Sequence, residues 1–184
     1  MVMTVGILPI GTIEKTSLLP IKNGLGNVFP KTTSQIIQEH LPLSENSYDK
    51  SRGQHRSNQI LTAIQSYAAK HGFSRFLGVL NVDIFVPGLN FVFGEAAFPG
   101  KTALISLWRL RPEFYEESQN KEVFAQRMLK EAVHEIGHTL GLKHCSKSSC
   151  VMHFSNSISE TDEKRSLLCD ECYIQAAISI DCLE

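Results

Sequence analysis

Residues 134–152 read HEIGHTLGLKHCSKSSCVM, which packs three histidines, an acid and two cysteines around what must be the end of a helix. The helix itself is legible upstream. From about Asn120 to Leu140, apolar residues recur at Phe124, Met128, Ala132, Ile136 and Leu140, with Val123, Leu129 and Val133 beside them, so a wide face is buried. The opposite edge carries Arg127, Glu131, His134 and His138. Because His134 and His138 are four positions apart, their rings lie one turn above each other and can share one ion at roughly 2.0–2.1 Å per zinc–nitrogen bond. Glu135 is offset from both rings, which keeps its carboxylate off a metal but within reach of a water on it. His144 cannot join them on a continuing helix, since that would carry its ring about 240° round and roughly 9 Å further along. Gly141 is placed to stop the helix, because glycine takes the left-handed conformation without a Cβ penalty, and the chain can then turn back to deliver His144. In a shuffled chain of this composition H-E-x-x-H arises roughly 0.02 times, and the added glycine and histidine lower that to on the order of 5 × 10⁻⁵, so chance does not compete. A solvated polar helix face with capping histidines is the bland reading, and it explains none of the spacing.

All five cysteines, Cys145, Cys150, Cys169, Cys172 and Cys182, follow the histidines. C-x₄-C followed by C-x₂-C in a helical segment is the spacing of a closed four-sulfur zinc site. A Cys145–Cys150 disulfide or a redox C-x-x-C are the alternatives, and a clustered rather than chain-wide distribution, as expected in a reducing compartment, argues against both. Cys145 directly follows His144, so two ions would lie within about 15 Å of each other, the second stiffening the turn that presents the third histidine. Cys182 reads as a free thiol. A methionine after a loop is ordinarily core filler, and a thioether is too weak a ligand to displace imidazole, so Met152 reads as a hydrophobic floor beneath the ion.

Upstream, residues 4–10 read as a buried strand and residues 11–56 are weakly patterned. Ser57–His71 places Ile60, Leu61, Ile64 and Tyr67 at helical spacing behind a serine cap. RFLGVLNVDIF, LNFVFGEA and TALISLWRL read as strands separated by Pro and Gly. The second is either an ordinary strand or an edge strand whose free backbone groups, around Gly94, Glu95 and Ala96, pair with an extended peptide. His40, His55, His71 and His153 lack partner spacing and read as surface or capping residues. At 184 residues with a 42% apolar share, one domain with a real core is expected. A net charge of −1 without like-charge runs points away from nucleic acid and anionic membrane, and no apolar stretch approaches the roughly 18 residues of a membrane span. The N-terminus fits a first strand better than a signal peptide, so a cytoplasmic protein is expected.

The full pattern, H-E-x-x-H-x-x-G-x-x-H-C-x₄-C-x-M followed by C-x-x-C, resembles the archaemetzincins, a branch of the metzincin clan of zinc metallopeptidases. The resemblance is specific over residues 134–172 and looser upstream through NFVFGEAAFPG. It implies an α/β (α+β) metzincin-like zincin fold: a twisted, mostly parallel five-stranded sheet with packed helices, the motif helix along a cleft floor, and a small C-terminal lobe with a helix. The single domain, 1–184, would divide into an upper lobe over 1–143 and a lower lobe over 144–184. His134, His138 and His144 then look like ligands of a catalytic zinc, Glu135 like its general base and Met152 like the methionine of the turn beneath it. Cys145, Cys150, Cys169 and Cys172 look like ligands of a second, structural zinc. The expected function is a monomeric zinc-dependent peptidase, an aminopeptidase or short-peptide endopeptidase, acting on a peptide or protein substrate. The rival is a zinc-stabilised peptide-binding module with little or no proteolysis, against which the intact Glu135 argues. A metal-buffering or redox protein built on the thiolates is a third, weaker reading.

Overall fold

The first strand, β1 (Met3–Pro9), is apolar at nearly every position because both its faces are covered. Met3, Val5 and Ile7 join one core with α1 (Leu19–Val28), while Leu8 joins a second core with α2 (Ser57–Ala68). In this computed structural model, which describes residues 2–183, β1 sits inside a five-stranded sheet. Its neighbours are β2 (Thr32–Ile36) and β5 (Arg75–Leu80); β8 (Thr102–Ser106) follows β5, and β7 (Gly94–Ala96) closes the order β2-β1-β5-β8-β7. Every pairing is parallel except β7 with β8, so the sheet is mostly parallel with one antiparallel edge strand. A small second sheet joins β3 (Tyr48–Asp49), β4 (Gln54–Arg56) and β6 (Ile84–Phe85). Three helices complete the chain: α3 (Lys121–Thr139), α4 (Ile158–Glu163) and α5 (Asp170–Asp181).

Several expectations need correction. The strand read across RFLGVLNVDIF is two short strands in different sheets, β5 and β6. Ser57 does not cap α2: Arg56 occupies the cap position, and the Ser57 hydroxyl donates instead to the Phe85 carbonyl at 3.0 Å, tying the helix to β6. The weakly patterned 11–56 segment holds α1, with Pro20 in its first turn and Gly24 packed against Leu129, together with the half-polar β2. The polar edge of α3 is not open to water, since Arg127 and Glu131 are buried beneath α4 and the residues that follow it.

α3 is capped by Asn120, whose side chain accepts from the backbone N–H groups of Glu122 and Val123. Its apolar face, including Met128, Ala132, Val133 and Ile136, shares one core with the sheet and with Val151, Met152, Ala176 and Ile180. The C-terminal segment is therefore held by the same core that holds the sheet.

Candidate metal centre

The end of α3 decides where His144 goes. Gly141 has φ +86°, its N–H donates to the His138 carbonyl at 2.9 Å, and Leu142 N–H donates to the Gly137 carbonyl at 3.1 Å. These are the two bonds of the Schellman closure, which needs a left-handed residue at the glycine position. The reversed chain brings His144 to the two helical histidines, and one ring nitrogen from each of the three lies within 4.8 Å of the others. His134 and Glu135 are buried, His138 is half-buried and His144 stands at the open side of the cleft.

The imidazoles are oriented from behind. His134 Nδ1 lies 2.8 Å from the Val151 carbonyl and His138 Nδ1 lies 2.7 Å from the Leu142 carbonyl. A carbonyl only accepts, so each Nδ1 carries the proton and each Nε2 presents a lone pair. Those two Nε2 atoms are 3.1 Å apart with no proton between them. Facing lone pairs at that distance repel unless a cation sits between them, and about 3.3 Å is the edge of a tetrahedron with 2.0–2.1 Å zinc–nitrogen bonds. The donor set thus fits zinc. Burial lowers the proton affinity of all three rings, with the Lys164 ammonium adding to the effect, so they are ready to bind metal without first losing a proton. Burial, followed by the Glu131 carboxylate, pushes Glu135 well above the usual carboxyl range.

Met152 is fully buried against the last turns of α3, where a Cβ on Gly137 would lie 2.4 Å from its sulfur. Gly137 was not singled out from sequence, although a glycine inside a helix costs roughly 1 kcal/mol relative to alanine and so signals a close approach. On the other side, a Cβ on Gly94 would lie 2.6 Å from Glu135 Cγ, so the edge strand β7 rests directly on the acid. A cleft of about 400 Å³ opens there, lined by Phe91, Phe93, Gly94, Glu135, His144 and Phe154 among others, with Lys164 and Glu131 in its wall. No sequence spacing could have flagged Lys164.

The four cysteines Cys145, Cys150, Cys169 and Cys172 also converge, their sulfurs all within 4.8 Å of one another and none in a disulfide. Cys145 Sγ and Cys169 Sγ are 3.8 Å apart, the edge expected of a tetrahedron with bonds of about 2.3 Å. Cys169 N–H points at Cys150 Sγ (3.3 Å) and Lys147 N–H at Cys145 Sγ (3.4 Å), as thiolates require. Burial raises Cys150 and Cys172; it also opposes ionisation of Cys169, but hydrogen bonds from Cys172 and the other thiols bring that group to about 7. This cluster is clamped to the first, since Cys145 N–H donates to the Met152 carbonyl at 2.9 Å and His153 Nδ1 meets the Cys145 carbonyl at 2.8 Å. Cys182 is an exposed free thiol, as expected.

A mostly parallel sheet closed by an antiparallel edge strand, over a helix that ends in a glycine reversal between its second and third histidines, defines a zinc metallopeptidase of the metzincin kind. Residues 41–177 match the model of Peptidase family M54. The archaemetzincin of Methanocaldococcus jannaschii is 45% identical over 172 residues, covering 94% of this chain and 92% of that one. The crystal structure of archaemetzincin from Methanopyrus kandleri superposes with a TM-score of 0.86 at 29% identity, covering 98% and 96% of the two chains. That of the Archaeoglobus fulgidus archaemetzincin, complexed with malonate, gives 0.80 at 36% identity over 94% and 99%. The chain belongs to Peptidase family M54, the archaemetzincins, and is a zinc-dependent peptidase. Among the described residues no helix is long and apolar enough to cross a membrane.

Proposed function

We propose that this chain hydrolyses peptide bonds in the cleft between β7 and α3, with His134, His138 and His144 holding the zinc ion and Glu135 serving as general base. The observation that carries this reading is the pair of Nε2 lone pairs, 3.1 Å apart, each fixed by a carbonyl on its own Nδ1. When bound there, zinc supplies Lewis-acid polarisation of the scissile carbonyl and acidifies the attacking water. Glu135 accepts the proton of that water on its carboxylate and returns it to the leaving amine. Gly94 lets the edge strand lie against Glu135 and hold its side chain in place, and an extended substrate pairs with the free backbone groups of β7 around Gly94, Glu95 and Ala96. Met152 makes the dry floor of the site, excluding water from beneath the histidines. Cys145, Cys150, Cys169 and Cys172 hold a second zinc that stiffens the turn carrying His144, giving two ions per chain. The catalytic unit is one domain acting as a monomer, with residues 1–143 above the cleft and 144–184 below. The reduced thiol cluster suits a reducing compartment, the cytoplasm.

Digesting a random peptide library with zinc-loaded protein beside its Glu135→Gln variant tests the reading. Cleavage by the parent and a 10²–10⁴-fold loss in the variant, with zinc content unchanged, is expected. Equal cleavage by both removes Glu135 as the base, and cleavage by neither returns the protein to the peptide-binding module. Release of single N-terminal residues, as against internal fragments, separates aminopeptidase from endopeptidase.

A further inference from the structure

The register of the edge strand β7 decides which of its groups a substrate meets. Ser106 N–H donates to the Phe93 carbonyl at 2.8 Å and Ala97 N–H to the Thr102 carbonyl at 3.0 Å, with Glu95 opposite Leu104 between them. Residues 93, 95 and 97 therefore turn their backbone groups toward β8, and those of Gly94 and Ala96 face the open edge. Side chains alternate between the two faces of the strand. A Cβ on Gly94 would meet Glu135 of α3, and Ala96 packs against the core that holds α3. Glu95 stands on the other face, that of Leu104, which belongs to the α2 core. The carboxylates lining the cleft are Glu95, Glu131 and Glu135, against Lys164 alone. Lys164 is already paired with Glu131 at 3.2 Å, and Glu135 lies at the histidines. Glu95 is left over: its Oε2 is buried and has no hydrogen-bond partner among the described residues. A buried carboxylate oxygen without a donor is unfavourable, so this position suits a donor that arrives with the substrate.

Building on the peptidase reading, we infer that Glu95 is a specificity-determining residue, whose carboxylate selects substrates carrying a Lys or Arg side chain beside the scissile bond. An extended substrate running antiparallel to β7 bonds to the free groups of Gly94 and Ala96, which places one of its residues directly opposite Glu95. That pair is of the non-hydrogen-bonded kind, with Cα atoms about 4.5 Å apart and both side chains on one face. The neighbouring substrate residue, opposite Gly94, lies over Glu135, so the residue that meets Glu95 is next to the one at the general base. Its ammonium or guanidinium donates to the Glu95 carboxylate in a charge-assisted bond. The β7 backbone stands between this cation and the histidines, which keeps it apart from the like charge of the metal. A substrate carboxylate at the same position meets Glu95 at close range and is repelled.

The test is a set of otherwise identical peptides with Lys, Arg, Gln, Leu or Glu at each position flanking the scissile bond, capped at both ends so that the varied residue carries the only charge. At one flanking position Lys and Arg should exceed Gln in kcat/KM by about tenfold, with Glu poorest. In Glu95→Gln the ratio of Lys to Gln should fall to about one, and in Glu95→Lys the order should invert, with Glu ahead of Lys. An inversion separates recognition of the substrate from a merely structural role, which would lower all the peptides together. Should Glu95→Lys not fold, the isosteric Glu95→Gln decides. Equilibrium binding of the same peptides to zinc-loaded Glu135→Gln protein keeps the two readings separable: tighter binding of the Lys and Arg peptides without turnover by the parent retires the peptidase and keeps the role of Glu95. Indifference to Lys and Arg at every flanking position in both cleavage and binding, or a preference that persists unchanged in Glu95→Gln, overturns the inference.

Discussion

Gly94→Ala isolates the contact between the edge strand and the acid. Gly94 does not have the left-handed backbone that restricts other residues, so alanine is tolerated there by conformation and the whole effect is contact. The new Cβ would lie 2.6 Å from Glu135 Cγ, 2.7 Å from Glu135 Oε1 and 2.7 Å from the Leu104 carbonyl oxygen. Ordinary contact begins near 3.4 Å, so about 1 Å must be found. Leu104 cannot supply it, because β8 is pinned between β5 and β7. Either Glu135 swings away or β7 lifts. A displacement of about 1 Å at a reacting group costs on the order of 10² in rate, or about 2.7 kcal/mol of transition-state stabilisation, and overpacking costs about 1–3 kcal/mol of stability. Stability loss of that size lowers the Tm of a chain this long by on the order of 2–12 °C. Gly72→Ala is the control: no atom lies within 4 Å of its would-be Cβ, and a change within about 0.5 kcal/mol is expected. The assay is kcat/KM on a cleaved library peptide with zinc content and thermal melts alongside. Activity within threefold of the parent and an unchanged melt would refute the argument that β7 seats the base.

Three further outcomes follow from the same geometry. Cys172→Ser should lower bound zinc by one equivalent in elemental analysis, and the melt should fall because the Cys145 to Met152 clamp loses its anchor. Met152→Leu should cost under about 1.5 kcal/mol and leave zinc content alone, whereas Met152→Ala should cost about 2–5 kcal/mol by denaturant unfolding; loss of zinc in the leucine variant would mean that the sulfur acts as a ligand. Glu131→Gln leaves Lys164 buried opposite a neutral amide and should cost about 3–5 kcal/mol in denaturant unfolding, more than removal of both charges together; a larger loss in the double variant would contradict the pairing.

Legibility differed sharply from one part of the chain to another. α3 was readable almost to the residue, since its apolar face repeats at helical spacing. The parallel strands were readable as apolar runs because helices bury both their faces, but β2 was not, since alternate side chains of Thr32–Ile36 face water. α1 hid behind Pro20, Gly24 and Gly26, residues that read as loop until Gly24 is seen to admit Leu129. Ser57 illustrates a local rule overridden: its hydroxyl found a better partner in Phe85 of a different element.

What the sequence determined by itself was the chemistry with local causes: which side chains could share an ion, where the helix had to end, and that the cysteines formed a cluster. Those follow from the helical period and from the conformational freedom of Gly141, quantities that depend only on near neighbours along the chain. Only the tertiary structure decided what stands behind and across from those groups: the carbonyls that orient His134 and His138, the strand resting on Glu135, and the buried cations ending in Lys164. Each brings together residues far apart in the chain, and such partners are selected by packing within a shared core, which leaves no periodic trace in the order of residues.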